Sequence, residues 1–458
     1  MSAPGPVVPP SRAPRTGKAR VRSLADDLRS RDDDAIATLL RARPDLLHPV
    51  PADLSALSTR ATTSTSVARA LDRLDRGALG VLEALAALPE PTRLTDLAAG
   101  LRAVPRRQLT ATVGRLRELA LLWGTDRALH LVRSVRQAFG DHPAGLGPAL
   151  ADTRRGVRPY AADPGLAARV LATAPADAST ALQQLLWGPP VGFLPGADRQ
   201  VSADTATTAV EWLLARSLLE PLDASTVVVP REVALPLRDG VLVADVALAA
   251  PEVRVAAQHD PARVDRTAAQ QAFETTRAVA ALLSLWSSSP PARLRSGGLG
   301  VRDLTRTAAS LDLPEARTAL LVEVCHAAGL LASDGEIGES WCPTPAYDQW
   351  LERPAAAQWA VLAQTWLSMT RLPGLGTGPE AAEPRPNLLS RELDHPGAPD
   401  LRRATLEVFD RLPTGAAPDP ADLFSLLAWS RPRGAVQRRR AMAATTLQEA
   451  EQLGVTGL

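Results

Sequence analysis

Residues 105–132 read PRRQLTATVGRLRELALLWGTDRALHLV, and this stretch decides the fold class. Its first half places apolar side chains at Leu109, Val113 and Leu116, a spacing that predicts the buried stripe of an α-helix. Its second half alternates around a Thr-Asp turn at 125–126, which predicts a two-stranded hairpin. A helix followed directly by such a hairpin is typical of the closing part of a winged helix.

Two further helical segments precede this stretch. Residues 77–88 (GALGVLEALAAL) form an apolar helix that a Pro-Glu-Pro sequence ends. Residues 95–101 (TDLAAGL) form a second helix, for which Thr95 is the predicted N-cap. Three helices and a hairpin can enclose a core of their own, so we expect an independently folding winged helix at residues 67–140.

The end of the third helix recurs along the chain. The segments that share a small residue followed by apolar ones are ELALLWG (118–124), ARSLLEP (215–221), HAAGLLA (326–332) and, less closely, EAEQLGVTG (449–457). The intervals between the small residues are 97, 112 and 125 residues, and this irregular spacing favours separate domains in series over a solenoid. The sequence therefore predicts a mainly α fold with small β-hairpins, arranged as tandem winged-helix-like domains in series.

Proline-rich breaks divide the chain into segments. The predicted order is a disordered basic arm (1–22), a short helical segment (23–66), winged helix 1 (67–140), a linker (141–168), winged helix 2 (169–250), a linker (251–267), winged helix 3 (268–352), a helix with a Pro/Gly-rich linker (353–392) and an incomplete winged helix 4 (393–458). The long helix of winged helix 2 is expected at 203–217, and the first helix of winged helix 3 at 269–286. No hairpin follows the last helix, so we expect a truncated chain or a continuation beyond Leu458.

Composition limits the class of protein. The chain has 458 residues, 45% of them hydrophobic, and a formal net charge of +1. These values exclude a wholly disordered chain and a globally basic nucleic-acid binder. No apolar run approaches the ~18 residues of a membrane helix, and the N-terminus lacks the apolar core of a signal peptide. We expect a soluble, cytoplasmic protein with no membrane partner, which DNA binding would place at the nucleoid.

Motifs for catalysis are missing from the sequence. Lys18, the only lysine, lies in RTGKAR, which is not a nucleotide-binding Walker A sequence, and no GxSxG nucleophile elbow occurs. Cys325 and Cys342 do not make a zinc-binding pattern, and the six histidines are scattered. The sequence therefore predicts no enzyme activity, no catalytic residue, no metal and no cofactor. We expect His326 beside Cys325 to pack in the core.

Four tryptophans crowd one region. They are Trp341, Trp350, Trp359 and Trp366. Their spacing favours a helix that packs over the third hairpin, and base stacking is the alternative.

The clustering of arginines in two segments is the feature of the sequence that indicates a function. Residues 101–140 contain eight arginines against two acids, a local net charge of +6. The predicted nucleic-acid contacts in winged helix 1 are Arg106, Arg107, Thr110, Arg115, Arg117 and Arg127. The second predicted set, in winged helix 4, is Arg431, Arg433, Arg438, Arg439 and Arg440. A recognition helix enters the major groove N-terminus first, with neighbouring cations on phosphates.

The sequence allows two interpretations of these arginines. Arginines at the start and on the exposed face of a third helix favour binding to the DNA duplex backbone. The alternative is that both sets are solvated faces of helices in an arginine-biased chain. Winged helices 2 and 3 lack such density and are expected to act as spacers or protein-docking surfaces.

Several longer strings carry a family resemblance. They are RSLADDLRSRDDDAIATLLRARPDLLHPVPADLSALSTRA (22–61), SVARALDRLDRGALGVLEALAAL (66–88), GLGVRDLTRTAASL (298–311), WCPTPAYDQWLERPAAAQW (341–359) and LAWSRPRGAVQRRR (427–440). The chain resembles actinobacterial helicase-associated proteins that carry an XPB-type helicase N-terminal domain. The resemblance implies tandem winged-helix-like units and a DNA-related role, without the later domain that gives the helicase name. Its alternatives are a protein-interaction scaffold of a helicase or transcription complex, and an accessory part of a helicase whose ATPase motifs are not in this chain.

Overall fold

The computed structural model describes residues 22–148, 159–336, 338–374, 386–434 and 436–457. The chain divides into two compact units, Met1–Ala249 and Ala250–Leu458. Both units are mainly helical and carry small antiparallel sheets of two or three strands, which confirms the coarse fold class. Of the predicted basic arm, 1–21 lie outside the described residues.

The first unit contains thirteen described α-helices and five strands. The helices are α1 (Leu24–Arg29), α2 (Asp33–Ala42), α3 (Leu54–Ala61), α4 (Ser64–Leu71), α5 (Arg76–Ala87), α6 (Leu94–Gly100), α7 (Arg106–Glu118), α8 (Arg133–Gln137), α9 (Pro159–Ala162), α10 (Leu166–Leu171), α11 (Ala176–Trp187), α12 (Ala209–Ala215) and α13 (Arg231–Leu237). The strands are β1 (Leu122–Thr125), β2 (Ala128–Leu131), β3 (Val191–Phe193), β4 (Glu220–Pro221) and β5 (Thr226–Val228).

The second unit contains eight described α-helices and four strands. The helices are α14 (Pro261–Ser288), α15 (Val301–Leu311), α16 (Glu315–Ala327), α17 (Pro345–Leu351), α18 (Ala355–Ser368), α19 (Ala398–Asp410), α20 (Pro420–Ser430) and α21 (Val436–Gln452). The strands are β6 (Val255–Gln258), β7 (Leu331–Ser333), β8 (Trp341–Pro343) and β9 (Ala416–Pro418).

Four helical groups recur in these units. The first group is α5–α7 with β1 and β2, the second is α11 and α12 with β3–β5, the third is α14–α16 with β7 and β8, and the fourth is α19–α21 with β9. In each group the last helix ends at a small residue with positive φ. These residues are Ala120 (φ 54°), Ser217 (φ 55°), Gly329 (φ 71°) and Gly454 (φ 72°).

The helix endings also share a hydrogen bond. The residue after each small residue donates its N–H to the carbonyl five positions earlier. The bonds are Leu121 to Leu116 (3.1 Å), Leu218 to Leu213 (3.0 Å), Leu330 to Cys325 (2.9 Å) and Val455 to Ala450 (2.8 Å). This left-handed turn is a common way to end a helix because it satisfies carbonyls that have no partner within the helix. The recurring sequence ending therefore marks one helix-terminating turn, used four times.

The first group follows the predicted elements with two exceptions. The hairpin turn lies at Asp126–Arg127 rather than at 125–126, because Thr125 pairs with Ala128 and so belongs to β1. Leu109, Val113 and Leu116 of α7 are each 0% exposed, and β1 pairs with β2 in antiparallel register. The prediction that Thr95 caps the second helix was wrong. The helix begins at Leu94 without a side-chain cap, because the N–H of Leu94 donates to the carbonyl of Asp126 in the hairpin turn (2.8 Å).

The second group departs further from prediction. Its sheet has the order β3-β5-β4, and the helix expected at 203–217 covers only Ala209–Ala215. A capping box causes the late start: the hydroxyl of Thr208 accepts the N–H of Glu211, and the Glu211 carboxylate accepts the N–H of Thr208.

The first unit has one continuous core, which extends from Leu24 to Leu242. The sequence predicts separate domains there, but the N-terminal segment also closes the end of α7. Arg31 donates to the carbonyls of Arg117 and Glu118, and the buried Arg43 donates to the carbonyl of Leu119. Long side chains from a distant segment thus satisfy the helix C-terminus, which local pattern does not reveal.

The first elements of the second unit begin within the predicted linker 251–267. Strand β6 pairs with β9 in this segment, and α14 starts at Pro261 rather than at 269. Asp260 accepts the N–H of Ala262, so an N-cap and a proline in the first turn set the start of the helix.

Candidate nucleic-acid interface

The first turn of α7 presents cations to solvent. Arg106 and Arg107 are exposed, and neither forms an ion pair with any residue that the structure describes. Pro105 precedes them, and no side chain caps the N–H groups of this turn. The exposed Thr110 donates its hydroxyl to the carbonyl of Arg106 (2.9 Å) and keeps its oxygen as an acceptor. Two guanidinium groups at an uncapped helix N-terminus favour an anion.

The later arginines of α7 are paired with acids. Arg115 Nη2 lies 2.7 Å from Asp75 Oδ2, and Asp75 is also the N-cap of α5. Arg117 Nη2 lies 2.7 Å from Asp126 Oδ1 in the hairpin turn. These two predicted contacts therefore tie α7 to its neighbours, and their positive charges are offset locally.

Arg127 lies on the hairpin turn itself. It is exposed and has no ion-pair partner among the described residues. Because the adjacent Asp126 binds Arg117, this turn lies beside the last turn of α7. Arg106 and Arg117 are roughly 16 Å apart along the helix axis at 1.5 Å per residue. Cations without acidic partners therefore stand near both ends of α7.

The local charge surplus is only partly cancelled. Three of the eight arginines at 101–140 pair with an acid: Arg115 and Arg117, as described above, and Arg136, which lies 2.9 Å from Glu90. The five that are exposed and without an ion-pair partner in the described part of the chain are Arg102, Arg106, Arg107, Arg127 and Arg133. This segment accordingly keeps an excess of exposed cations, five arginines against the exposed Glu118.

The second predicted cluster is turned toward its own helical group. Arg431 Nη1 lies 3.1 Å from Asp400 Oδ2, and Arg439 donates to the carbonyl of Arg431. The guanidinium carbon of Arg440 lies 5.3 Å from the centroid of the Phe424 ring. Burial, and then the charge of Arg431, lower the pKa of Arg439. Three of the five predicted contacts are therefore engaged within the protein.

The remaining two members differ from each other. Arg433 is half-buried, whereas Arg438 is exposed. Burial, and then the charge of Arg438, lower the pKa of His395. Arg438 is thus an exposed member of this cluster that forms no ion pair with the described residues.

Cys325 and His326 both contact neighbouring side chains of the second unit. In the described ranges, no group of three or more His, Cys, Asp or Glu residues is arranged to hold a metal ion. Cys325 is 0% exposed, and burial raises the pKa of its thiol. His326 meets the ring of Trp341 edge-on, with centroids 5.5 Å apart. The prediction that these two neighbours pack in the core is confirmed for Cys325, whereas His326 is half-buried at the edge of that core.

The tryptophans serve packing as well. Trp341, Trp350 and Trp366 are buried, and the half-buried Trp359 donates its indole N–H to the carbonyl of Leu453 (2.8 Å). The packing interpretation of this cluster is confirmed for the three buried rings.

Sequence reasoning missed the buried charges of the second unit. Glu323 accepts from Arg371 and from the N–H of Leu389, and Arg402 lies 3.4 Å from Glu449. A signal for Glu323 was present, because it stands within the apolar run ALLVEVC (319–325). A charge at a core position predicts a buried partner, although it does not say which one.

Comparisons with protein-family models, with curated proteins and with solved structures gave no match for this chain. Within the parts of the chain that the structure describes, no helix is both long and apolar enough to cross a membrane.

Proposed function

We propose that this chain is a non-catalytic DNA-associated protein built from tandem winged-helix-like units, the first of which binds the duplex backbone. In this proposal α7 approaches the major groove with its N-terminus first, and Arg106 and Arg107 contact phosphates there. Arg127 reaches a second stretch of backbone from the hairpin turn. The proposal needs neither a metal nor a nucleotide.

The winged-helix part of the proposal is supported by connectivity. In the first group the chain order is α5, a single β-bridge residue, α6, α7 and the β1–β2 hairpin. The bridge residue is Thr92, which lies between α5 and α6 in the chain and pairs with Leu129 of β2. The second group repeats this order of pairing, since β3 follows its first helix and joins β5 at the sheet edge. In the third group Ala292 bridges to Ser340 at the equivalent place.

One observation carries the DNA-binding part. Arg106, Arg107 and Arg127 are exposed without acidic partners in the described residues, on the last helix and the hairpin turn of one group. Phosphate contacts of this kind position a protein on a duplex without reading its sequence. The resemblance to helicase-associated proteins points toward the same role.

Charge reversal tests this function. We expect Arg106→Glu/Arg107→Glu to abolish binding of a labelled duplex in fluorescence anisotropy, whatever the DNA sequence. The matched control is Arg302→Glu/Arg353→Glu, which makes the same charge change at exposed residues of the second unit without ion-pair partners there. Equal loss of binding in both variants would mean that the loss comes from net charge alone. Unchanged binding in Arg106→Glu/Arg107→Glu would refute the proposal that α7 contacts DNA.

A second function is favoured by exposed apolar side chains in the second group. Phe193 on the edge strand β3 is 81% exposed, and Trp187 and Leu222 are 48% and 40% exposed. Such side chains favour a protein-docking surface, as in a scaffold for a helicase or transcription complex. We expect Phe193→Asp to remove a co-purifying partner that Arg106→Glu/Arg107→Glu retains. If Arg106→Glu/Arg107→Glu loses the partner and Phe193→Asp retains it, the two proteins are held together by DNA.

A further inference from the structure

A cavity of about 250 Å³ opens between α20 and α21 of the fourth group. Its lining combines the apolar side chains of Phe424 and Leu427 with three arginines, Arg431, Arg439 and Arg440. A dry protein cavity of ~150 Å³ accommodates benzene. This cavity therefore has room for a ring-sized apolar group together with a small polar group.

The arginines of the cavity are short of negative charge. Asp400 pairs with Arg431, but Arg439 donates to a backbone carbonyl and Arg440 stacks on Phe424. No acid of the described chain forms an ion pair with Arg439 or Arg440. Burial and the charge of Arg431 also lower the pKa of Arg439, as expected for neighbouring cations partly removed from water.

We propose that this cavity binds a small organic carboxylate whose body is aromatic or branched aliphatic. The carboxylate pairs with Arg439 and Arg440, where charge-assisted hydrogen bonds are strongest. The apolar body packs against Phe424 and Leu427, in the combination of apolar walls and few polar anchors that is typical of ligand sites. The site lies in the second unit, and its occupation does not depend on DNA binding by α7.

Fluorine NMR with a fluorinated phenylpropionate tests the site in the full chain. We expect a Kd of about 1 mM or tighter. The variant Arg439→Gln/Arg440→Gln should weaken binding by roughly tenfold or more, since each charged hydrogen bond contributes on that scale. The matched control Arg403→Gln changes an exposed arginine of α19 outside the cavity and should leave the Kd unchanged.

Two further probes keep the test independent of variant folding. The neutral amide of the same probe should bind roughly tenfold more weakly, because it lacks the charge. Acetate should compete poorly, because it lacks the apolar body. Equal binding of acid and amide, or an unchanged Kd in the double variant, would overturn the site. Loss of duplex binding in that variant, with no probe binding by the wild type, would assign these arginines to DNA.

Discussion

The salt dependence of DNA binding distinguishes the arginines of α7 from one another. Each neutralised phosphate contributes about −0.9 to the slope of log K against log salt concentration. Five exposed arginines at 101–140 lack an acidic partner in the described chain, so the limiting slope is about −4.5 if all five contact phosphates. We expect Arg106→Gln/Arg107→Gln to bring the slope to about −2.7, because two contacts are removed.

Arg115→Gln provides the internal comparison. Its guanidinium already pairs with Asp75 at 2.7 Å, so its removal should leave the slope close to that of the wild type. The assay is anisotropy of a short labelled duplex, titrated with each protein at several KCl concentrations. Circular dichroism at each salt concentration checks that the variants stay folded.

Two results would refute this reasoning. A wild-type slope near zero would mean that no phosphates are neutralised. A change in slope as large for Arg115→Gln as for Arg106→Gln/Arg107→Gln would mean that the ion pair with Asp75 does not set which arginines are available.

Further predictions concern buried and half-buried groups. Glu323→Ala removes the fully buried carboxylate that pairs with Arg371 and leaves this buried arginine only the exposed Asp394, at 3.6 Å, so we expect urea unfolding to show a loss of about 3 kcal/mol in the second unit. Hydrogen bonds from Thr207 lower the pKa of Glu211 to about 2 from an ordinary value of 4.5. The resulting stabilisation is present above pH 4.5 and is lost as the pH falls toward 2, and Glu211→Gln should reduce this acid sensitivity in unfolding curves. In thiol labelling of the native chain, the half-buried Cys342 should react while the buried Cys325 does not.

Each of these predictions has a control. Glu407→Ala removes an exposed glutamate of α19 and should change the stability by less than ~0.5 kcal/mol. A stability change as small as this for Glu323→Ala would contradict a buried ion pair. Equal acid sensitivity of wild type and Glu211→Gln would exclude that carboxylate as the titrating group. Cys342→Ser should abolish labelling of the native chain, and both thiols of the wild type should react in urea.

Local patterns in the sequence determined much of the secondary structure. The apolar spacing of Leu109, Val113 and Leu116 specifies the buried face of α7, and the alternation of the next segment specifies a hairpin, whose turn lies one residue later than predicted. The recurring small residue marks a turn that depends on only six consecutive residues. Such features involve neighbours in the chain, and so a single sequence is sufficient to predict them.

Tertiary structure alone decided which charges are available. Arg106 and Arg115 belong to one helix and look equivalent in the sequence, yet only Arg115 meets an acid, Asp75, the N-cap residue of α5. Likewise, the fold half-buries Arg439, which donates to the carbonyl of Arg431, and leaves the neighbouring Arg438 exposed. The ion pair of Arg115 with Asp75 depends on the distance between chain segments that are far apart in sequence, whereas periodicity reports only on a segment and its own neighbours.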